Sequence, residues 1–203
     1  MNIIENALNL AYSSHKGQFR KGNNLSPVKL PYICHPIDVV NLLYKWGVKD
    51  ENMIAAAFLH DVLEDTETTA QQIIDCTNNV VSYYVENLTH DPKLSKQEYV
   101  DSFETKPIEI FLIKLADRIC NVKDFTISSP KYALEYAKKA SKLYYRIFYM
   151  QQTLPDIIMK YAPNISKDLN LQFFDPFPSL DLSNCNTSGD QNSVLCIDQK
   201  SNN

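Results

Sequence analysis

The chain has 203 residues, of which 44% are hydrophobic and 22% are charged, and its formal net charge is −4. This length and composition are typical of one globular domain with a short extension. The net negative charge argues against a nucleic-acid partner, which would need a broad basic surface, and no apolar run is long enough to span a membrane.

The cysteines and the N-terminus bear on cellular location. The five cysteines are odd in number, widely spaced and without a CxxC pair, which favours reduced thiols over a disulfide framework. The first residues include Glu5 and lack the basic start of a signal peptide. We therefore expect a cytoplasmic protein with neither a membrane nor a nucleic-acid partner.

Helical periodicity and a content of only four glycines predict an all-α fold. A first amphipathic helix is predicted to end near His15, and a loop rich in Gly, Asn and Pro follows it. Pro36 then lies in the first turn of a second helix. Asp50 is predicted to cap a third helix that runs through AAAFLHDVLEDTETT, residues 55–69.

Further helices follow from capping and proline signals. Their starts are predicted at Thr68 or Thr69, at the SKQE capping box of residues 95–98, at Pro107 and at Pro130. The segment 128–152, with Ser129 as its cap, is predicted to be one long helix, and a short helix from Asp156 to Tyr161 closes the core. We place a domain boundary after residue 163, with residues 164–203 forming a partly disordered C-terminal extension.

A cluster of ionisable residues, His60, Asp61, Glu64 and Asp65, follows directly on an apolar segment. On a continuous helix His60 would align with Glu64, and Asp61 with Asp65. Negative charge near a helix C-terminus opposes the macrodipole, and a bound cation would offset this repulsion. A solvated acidic helix end is the alternative interpretation.

Two distant residues could complete a metal site. His35 lies at a helix entry, and Asp117 follows the apolar run 110–113. Taken alone, His35 could be a cap and Asp117 a surface ion-pair partner of Arg118. Two imidazoles and two carboxylates suit Mn²⁺, Fe²⁺ or Zn²⁺ better than Ca²⁺. The predicted metal ligands are His35, His60, Asp61 and Asp117.

The loop after the first helix has a basic character that is unusual in an acidic chain. Residues 16–29 include four basic residues and no acidic one, namely Lys16, Arg20, Lys21 and Lys29. This segment is predicted to face phosphate groups, and a solvated surface loop is the alternative. His15 and Lys114 are expected to face the same pocket in structural roles, and the tyrosines of segment 128–152 to form core, a dimer surface or a base-stacking face.

Three motifs carry a family resemblance: YICHP (32–36), HDVLEDTETT (60–69) and IKLADRICN (113–121). In this order they resemble the HD metal-dependent phosphohydrolase superfamily, and within it the hydrolase domain of RelA/SpoT-type enzymes and the small alarmone hydrolases. The resemblance extends from residue 11 to about residue 121 and more weakly to about residue 150. It implies an all-helical HD-domain bundle, to which the composition after residue 163 adds a short irregular C-terminal tail.

The resemblance also implies residue roles. His35, His60, Asp61 and Asp117 match the metal ligands, usually of Mn²⁺, with Fe²⁺ and Zn²⁺ as alternatives. Glu64 and Asp65 match the acidic pair that positions or activates the attacking water. The predicted substrate-binding residues are Arg20, Lys21 and Asn121, with Lys16 and Lys96 as further basic candidates.

The activity implied by the resemblance is removal of the 3′-pyrophosphate from (p)ppGpp. Tyr99 and Val100 stand where a small alarmone hydrolase commonly carries an Arg-Lys pair, which favours alternatives outside that branch. These alternatives are an NADPH 2′-phosphatase, a 5′-nucleotidase, and a catalytically silent nucleotide-binding HD module. An interaction protein acting through FFDPFP (173–178) and a homodimer are also left open.

Overall fold

The computed structural model describes residues 2–20 and 29–169. Within these ranges the regular secondary structure is helical, and one isolated β-bridge joins Phe19 to Pro31. The prediction of an all-α fold is therefore confirmed. The helices are α1 (Ile3–Ser14), α2 (Cys34–Lys45), α3 (Glu51–Leu59), α4 (Val62–Asp65), α5 (Ala70–Cys76), α6 (Asn79–Leu88), α7 (Lys96–Ser102), α8 (Ile108–Ser128), α9 (Pro130–Lys139), α10 (Ser141–Thr153), α11 (Pro155–Tyr161) and α12 (Ile165–Asp168).

The helix starts follow the local capping chemistry. The Asp50 carboxylate accepts hydrogen bonds from the first backbone N–H groups of α3. Thr69 and Gln72 form a reciprocal capping box at α5, and Ser95 and Glu98 form another at α7. These predicted starts are confirmed, as is the end of α1 next to His15.

The core lies around α3 and α8. Every residue of α3 from Met53 to Leu59 is buried, and so is the apolar run from Ile110 to Ile113 in α8. Helix α3 packs against α1, α2, α6 and α8, and α2 packs against α8. A helix segment that is apolar on all sides belongs in the interior, as α3 does from Met53 to Leu59. Helix α8 adds its buried apolar run, and these two helices support the polar site. Among the described residues, no helix combines the length and apolar character that a membrane crossing requires.

The third helix is shorter than predicted, and the expectation of one helix through residues 55–69 is wrong. Helix α3 ends at Leu59, and α4 begins after a turn at His60 and Asp61. The His60 side chain places its Nδ1 2.8 Å from the carbonyl oxygen of Ala57. In a continuous helix that carbonyl would accept from the N–H of Asp61. A side-chain donor therefore takes the place of a helical hydrogen bond where the helix ends.

The segment 128–152 is also divided, and the expectation of one long helix is wrong. Helix α9 ends at Lys139 and α10 starts at Ser141, with the completely buried Ala140 between them. The N–H of Ala140 bonds to the carbonyl of Ala137, three residues back, which tightens the last turn of α9. Ser129 occupies the cap position of α9, but its side chain makes no capping hydrogen bond.

The proposed boundary at residue 163 stays a prediction. Helix α12 lies just beyond it and is attached to the body of the fold. Ile165 is completely buried, and the Asp168 carboxylate accepts a hydrogen bond from Trp46 Nε1 at 2.8 Å. The predicted disordered tail and the FFDPFP segment lie outside the described residues.

Candidate active site

Three packed helices bring the predicted metal ligands together. His35 is the second residue of α2, His60 and Asp61 form the turn after α3, and Asp117 lies in α8. Since α2, α3 and α8 all contact one another, these side chains meet in the core of the bundle. His35, His60 and Asp117 are buried, and Asp61 is partly exposed.

The ligand atoms of His35, His60 and Asp117 all lie within 4.8 Å of one another, and Asp61 approaches the two histidines. His35 Nε2 is 3.1 Å from Asp117 Oδ1 and 3.9 Å from Asp61 Oδ2. His60 Nε2 is 3.0 Å from Asp61 Oδ2 and 3.8 Å from Asp117 Oδ1. Two atoms bound to one ion at about 2.1 Å stand about 3.0 Å apart at a right angle and about 3.4 Å apart at a tetrahedral angle. The observed spacing therefore suits a single divalent ion.

The protonation of His60 also fits a metal. Its Nδ1 faces the carbonyl of Ala57 and carries the proton that it donates there. This hydrogen bond fixes Nδ1 as the donor and directs Nε2, which is buried without a hydrogen-bond partner, into the cluster, where it would bind a metal on losing its proton. A ligating histidine commonly has its other ring nitrogen bonded to a backbone carbonyl in this way.

Two carboxylates set the electrostatics of the cluster. Burial alone would lower the pKa of His60, but the carboxylates of Asp61 and Asp117 outweigh burial and raise that pKa to about 10. The same imidazole holds the pKa of Asp61 below its usual range, although burial opposes this. The two carboxylates thus attract positive charge into a buried space: without metal the protonated His60 imidazole provides it, and a divalent cation would replace that proton.

Lys114 supplies one positive charge from the core side. Its Nζ lies 2.8 Å from Asp117 Oδ2 and above the ring of Tyr99, and the side chain is buried. Burial would lower the pKa of Lys114, but the Asp117 carboxylate outweighs burial and raises it. Lys114 therefore stays charged beside one oxygen of Asp117 and leaves the other oxygen facing the histidines.

The acidic pair lies at the entrance to the cluster. Glu64 and Asp65 are exposed, and Glu64 Oε2 accepts a hydrogen bond from the backbone N–H of His90 at 3.1 Å. The Tyr32 hydroxyl contacts both Asp61 Oδ2, at 2.5 Å, and Asp65 Oδ2, at 3.2 Å. Burial and the Asp61 carboxylate raise the pKa of Tyr32, so the hydroxyl keeps its proton and acts as a donor.

A cavity of about 380 Å³ opens from the cluster and includes Asp61, Glu64 and Asp117 in its lining. It is also lined by five cationic side chains: Arg20, Lys96, Lys114, Arg118 and Lys139. In a chain of net charge −4, this concentration of cations marks a binding site for anionic groups.

The structure brings some of the predicted substrate residues to this cavity. Arg20, Lys96 and Asn121 line it. Lys16 is exposed at the end of α1 and does not line it, and Lys21 lies outside the described residues. Their roles in binding stay predictions.

Arg20 is held by two partners on α8. Its guanidinium lies 2.6 Å from Asp124 Oδ2 and donates to Asn121 Oδ1 at 2.7 Å. Asn121 in turn donates from Nδ2 to Asp117 Oδ1 at 2.5 Å. A chain of polar contacts therefore links the basic loop to a predicted metal ligand.

Several residues that line the cavity were missed by the sequence reasoning. Arg118, which was considered only as a surface partner of Asp117, has a buried Nε without a hydrogen-bond partner and stacks on the ring of Tyr136 with Cζ 4.4 Å from its centroid. Lys139 and Tyr32 were given no role. The helical spacing of Lys114, Arg118 and the ligand Asp117 was the available signal, since positions 114, 117 and 118 share one face of a helix.

Comparison with known proteins identifies the family of the chain. A model of the HD domain family matches residues 7–147. MESH1 of Xenopus tropicalis, named as a guanosine-3′,5′-bis(diphosphate) 3′-pyrophosphohydrolase, is 37% identical over 134 residues, which are 64% of this chain and 73% of that protein. Human MESH1, which has the same name, is 34% identical over 130 residues, or 62% of this chain and 70% of its own length.

A longer relative and a solved structure extend the comparison. A probable guanosine-3′,5′-bis(diphosphate) 3′-pyrophosphohydrolase of Synechocystis is 34% identical over 155 residues, which are 70% of this chain but only 19% of that protein. A solved structure of a metazoan ortholog of SpoT that hydrolyzes ppGpp matches with a TM-score of 0.62 at 25% identity, over 75% of this chain and 96% of that chain. The family model covers well over half of the chain, and the chain therefore belongs to the HD domain family.

Proposed function

We propose that this protein is a divalent-metal-dependent hydrolase that removes the 3′-pyrophosphate from (p)ppGpp. The observation that carries the proposal is the opening of the His/Asp cluster into a cavity lined by five cations. The names of the MESH1 relatives support the choice of substrate. An anhydride-bearing nucleotide with phosphates at both ends is the kind of ligand that such a cavity fits.

His35, His60, Asp61 and Asp117 would hold the ion, because their ligand atoms already converge and His60 Nε2 has no other partner. When bound, a divalent ion polarises a phosphoryl oxygen and lowers the pKa of water. Mn²⁺ is our first choice of metal, and Fe²⁺ and Zn²⁺ suit the same two imidazoles and two carboxylates.

The chain's own residues would accept the proton of the attacking water and position that water. Attack of water on the phosphorus at the 3′ position forms one P–O bond and breaks the bond to the ribose 3′ oxygen. The water loses a proton, and the 3′ oxygen gains one as GDP or GTP leaves. Glu64, whose carboxylate is oriented by the His90 N–H, would accept or orient the water proton. Asp65, which accepts a hydrogen bond from Tyr32, would help Glu64 to position the water from the other side of the entrance.

The substrate's negative charge would meet the cationic wall of the cavity. The Arg20 guanidinium donates hydrogen bonds to Asn121 and Asp124. It can exchange these partners for phosphate oxygens. Arg118 and Lys139 form no ion pair among the described residues, so their charge is available to the substrate. Tyr132 and Tyr136, in the same lining, offer aromatic faces to a base.

One observation keeps a second nucleotide substrate in consideration. Tyr99 and Val100 line the cavity at the point where an Arg-Lys pair was expected. The Tyr99 hydroxyl donates to the carbonyl of Leu88, so this position supplies no charge to a substrate. A nucleotide with fewer phosphates at that end, such as NADPH or a 5′-nucleotide, is the alternative.

The deciding experiment is a product assay on the full chain with excess Mn²⁺. We expect ppGpp to give GDP and pyrophosphate, separated by anion-exchange chromatography, faster than NADPH or 5′-nucleotides give orthophosphate. His60→Ala should lose turnover, whereas Asp75→Asn, an exposed carboxylate on α5, should keep it. Orthophosphate from NADPH alone would favour the alternative, and ppGpp binding without any product would indicate a silent binding module.

A cytoplasmic location and a homodimer are also proposals. The odd, widely spaced cysteines and a nucleotide substrate support the first. Light scattering after size-exclusion chromatography tests the second.

A further inference from the structure

Tyr32 occupies a fixed position at the centre of the site. The β-bridge between Phe19 and Pro31 immediately precedes it, and its backbone N–H donates to the carbonyl of Gln18 at 3.0 Å. The Gln18 side chain in turn donates to the carbonyl of Asp65 at 2.9 Å. The backbone thus holds the phenol ring between the turn that carries Asp61 and the loop that carries Arg20.

The hydroxyl joins a predicted metal ligand to the predicted acidic pair. It lies 2.5 Å from Asp61 Oδ2 and 3.2 Å from Asp65 Oδ2. Since a phenol has one proton, it donates mainly to Asp61, the nearer carboxylate. Asp61 Oδ2 is the same atom that faces His60 Nε2 at 3.0 Å. A donor at this position orients the carboxylate and keeps two negative groups at a set separation.

The ring links the same point to two further parts of the site. It stacks on His15 with centroids 4.4 Å apart and meets His35 edge-on at 6.1 Å. On its face lies the guanidinium of Arg20, with Cζ 5.5 Å from the ring centroid. One side chain therefore contacts a predicted metal ligand in α2, another in the turn between α3 and α4, and the predicted phosphate-binding arginine.

We propose that Tyr32 is a positioning residue: its hydroxyl holds Asp61 for the metal and spaces it from Asp65, and its ring holds Arg20 for the substrate. The two functions are separable, because one depends on the hydroxyl and the other on the ring. The role toward Arg20 rests on the proposed nucleotide hydrolase function. The role toward Asp61 does not, since it concerns metal affinity alone.

The test of the hydroxyl is Tyr32→Phe, which keeps the ring. Mn²⁺ alone is titrated into the chelator-treated full chain by calorimetry, and kcat and KM for ppGpp are then measured at saturating Mn²⁺. We expect Mn²⁺ affinity to fall about 10- to 100-fold, as is usual when a residue supporting a metal ligand is removed. KM should stay within about twofold, because the ring still supports Arg20.

The test of the ring is Tyr32→Leu. It should lower Mn²⁺ affinity as much as Tyr32→Phe does and should also raise KM for ppGpp by about two- to fivefold, the effect of one lost cation–π contact. Tyr84→Phe, a half-buried tyrosine on α6 that lines none of the described cavities, is the matched control and should change neither quantity.

A complementary variant keeps the proposal testable if the Tyr32 variants fold poorly. Asp65→Asn leaves the Tyr32 hydroxyl in place with Asp61 as its only charged acceptor. It should reduce kcat while Mn²⁺ affinity stays within about threefold of the parent. Loss of Mn²⁺ binding in Asp65→Asn, or Mn²⁺ affinity within twofold of the parent in Tyr32→Phe, would overturn the assignment. A parent protein that binds Mn²⁺ and shows the Tyr32 effect but does not hydrolyse ppGpp would overturn the proposed function and leave the role toward Asp61 standing.

Discussion

Replacing Lys114 by Met tests how the buried charges of the site support one another. Lys114 Nζ is 2.8 Å from Asp117 Oδ2, and both side chains are less than one tenth exposed. Removing one partner of a buried ion pair leaves the other charge uncompensated and typically costs about 3 to 5 kcal/mol. Asp117 also contacts His35 and Asn121, so we expect the lower limit, a loss of about 3 kcal/mol in the free energy of unfolding without metal.

The chain contains a matched control for this measurement. Lys142 Nζ also lies 2.8 Å from a carboxylate oxygen, that of Asp101, but its side chain is 47% exposed. The two pairs have the same separation and differ in burial. Lys142→Met should leave the unfolding midpoint essentially unchanged, since exposed pairs are screened by water and salt.

The assay is urea unfolding followed by fluorescence of Trp46, the single tryptophan, which is completely buried. For a chain of this size, about 3 kcal/mol corresponds to a fall in melting temperature of roughly 6 to 12 °C. Saturating Mn²⁺ should not restore the Lys114→Met variant fully, because Asp117 Oδ1 faces the histidines that would hold the ion, whereas Lys114 is paired with Oδ2. Equal losses of unfolding free energy in Lys114→Met and Lys142→Met would contradict this expectation, because burial would then have no effect on the strength of the ion pair.

Two further predictions concern other contacts. Asp168→Ala leaves the buried Trp46 Nε1 without its acceptor and should cost about 1 to 3 kcal/mol of stability at neutral pH, whereas Asp168→Asn keeps an acceptor and should cost less. Burial would raise the pKa of Asp168, but hydrogen bonds from Lys45 and Trp46 lower it overall. The ionised carboxylate therefore stabilises the fold above its ordinary pKa, and the difference in urea midpoint between the parent and Asp168→Asn should shrink as the pH falls below that ordinary value. Arg20→Gln should raise KM for ppGpp by about tenfold, the value of one charge-assisted hydrogen bond, with a smaller effect on kcat. Initial rates at saturating Mn²⁺ measure this, and an unchanged KM would exclude Arg20 from substrate binding.

Local chemistry explains which parts of the fold were predictable. Caps such as Asp50, Thr69 and Ser95 act within three or four residues of themselves, so they can be identified in the sequence. The break after Leu59 could not be, because it accompanies a side-chain hydrogen bond from His60 that does not change the apolar periodicity. The buried Ala140 that separates α9 from α10 likewise gives no breaker signal.

The predictability of the site residues also depends on whether their signal is in the sequence or only in the packing. The motif order pointed to His35 and Asp117, which are 82 positions apart and whose side chains lie 3.1 Å from each other. The contacts of Tyr32 with Asp61 and Asp65, and the stacking of Arg118 on Tyr136, depend on how loops and helices meet in three dimensions. No spacing rule identifies such contacts before the packing of α2, α3, α8 and α9 is known.

Anomalous diffraction from a crystal grown with excess Mn²⁺ tests the proposed metal site most directly. We predict a single manganese peak bounded by the side chains of His35, His60, Asp61 and Asp117, and we predict that His60→Ala loses this peak. An empty cluster under these conditions, or a manganese peak held by other residues of the chain, would show that these four residues do not form the metal site.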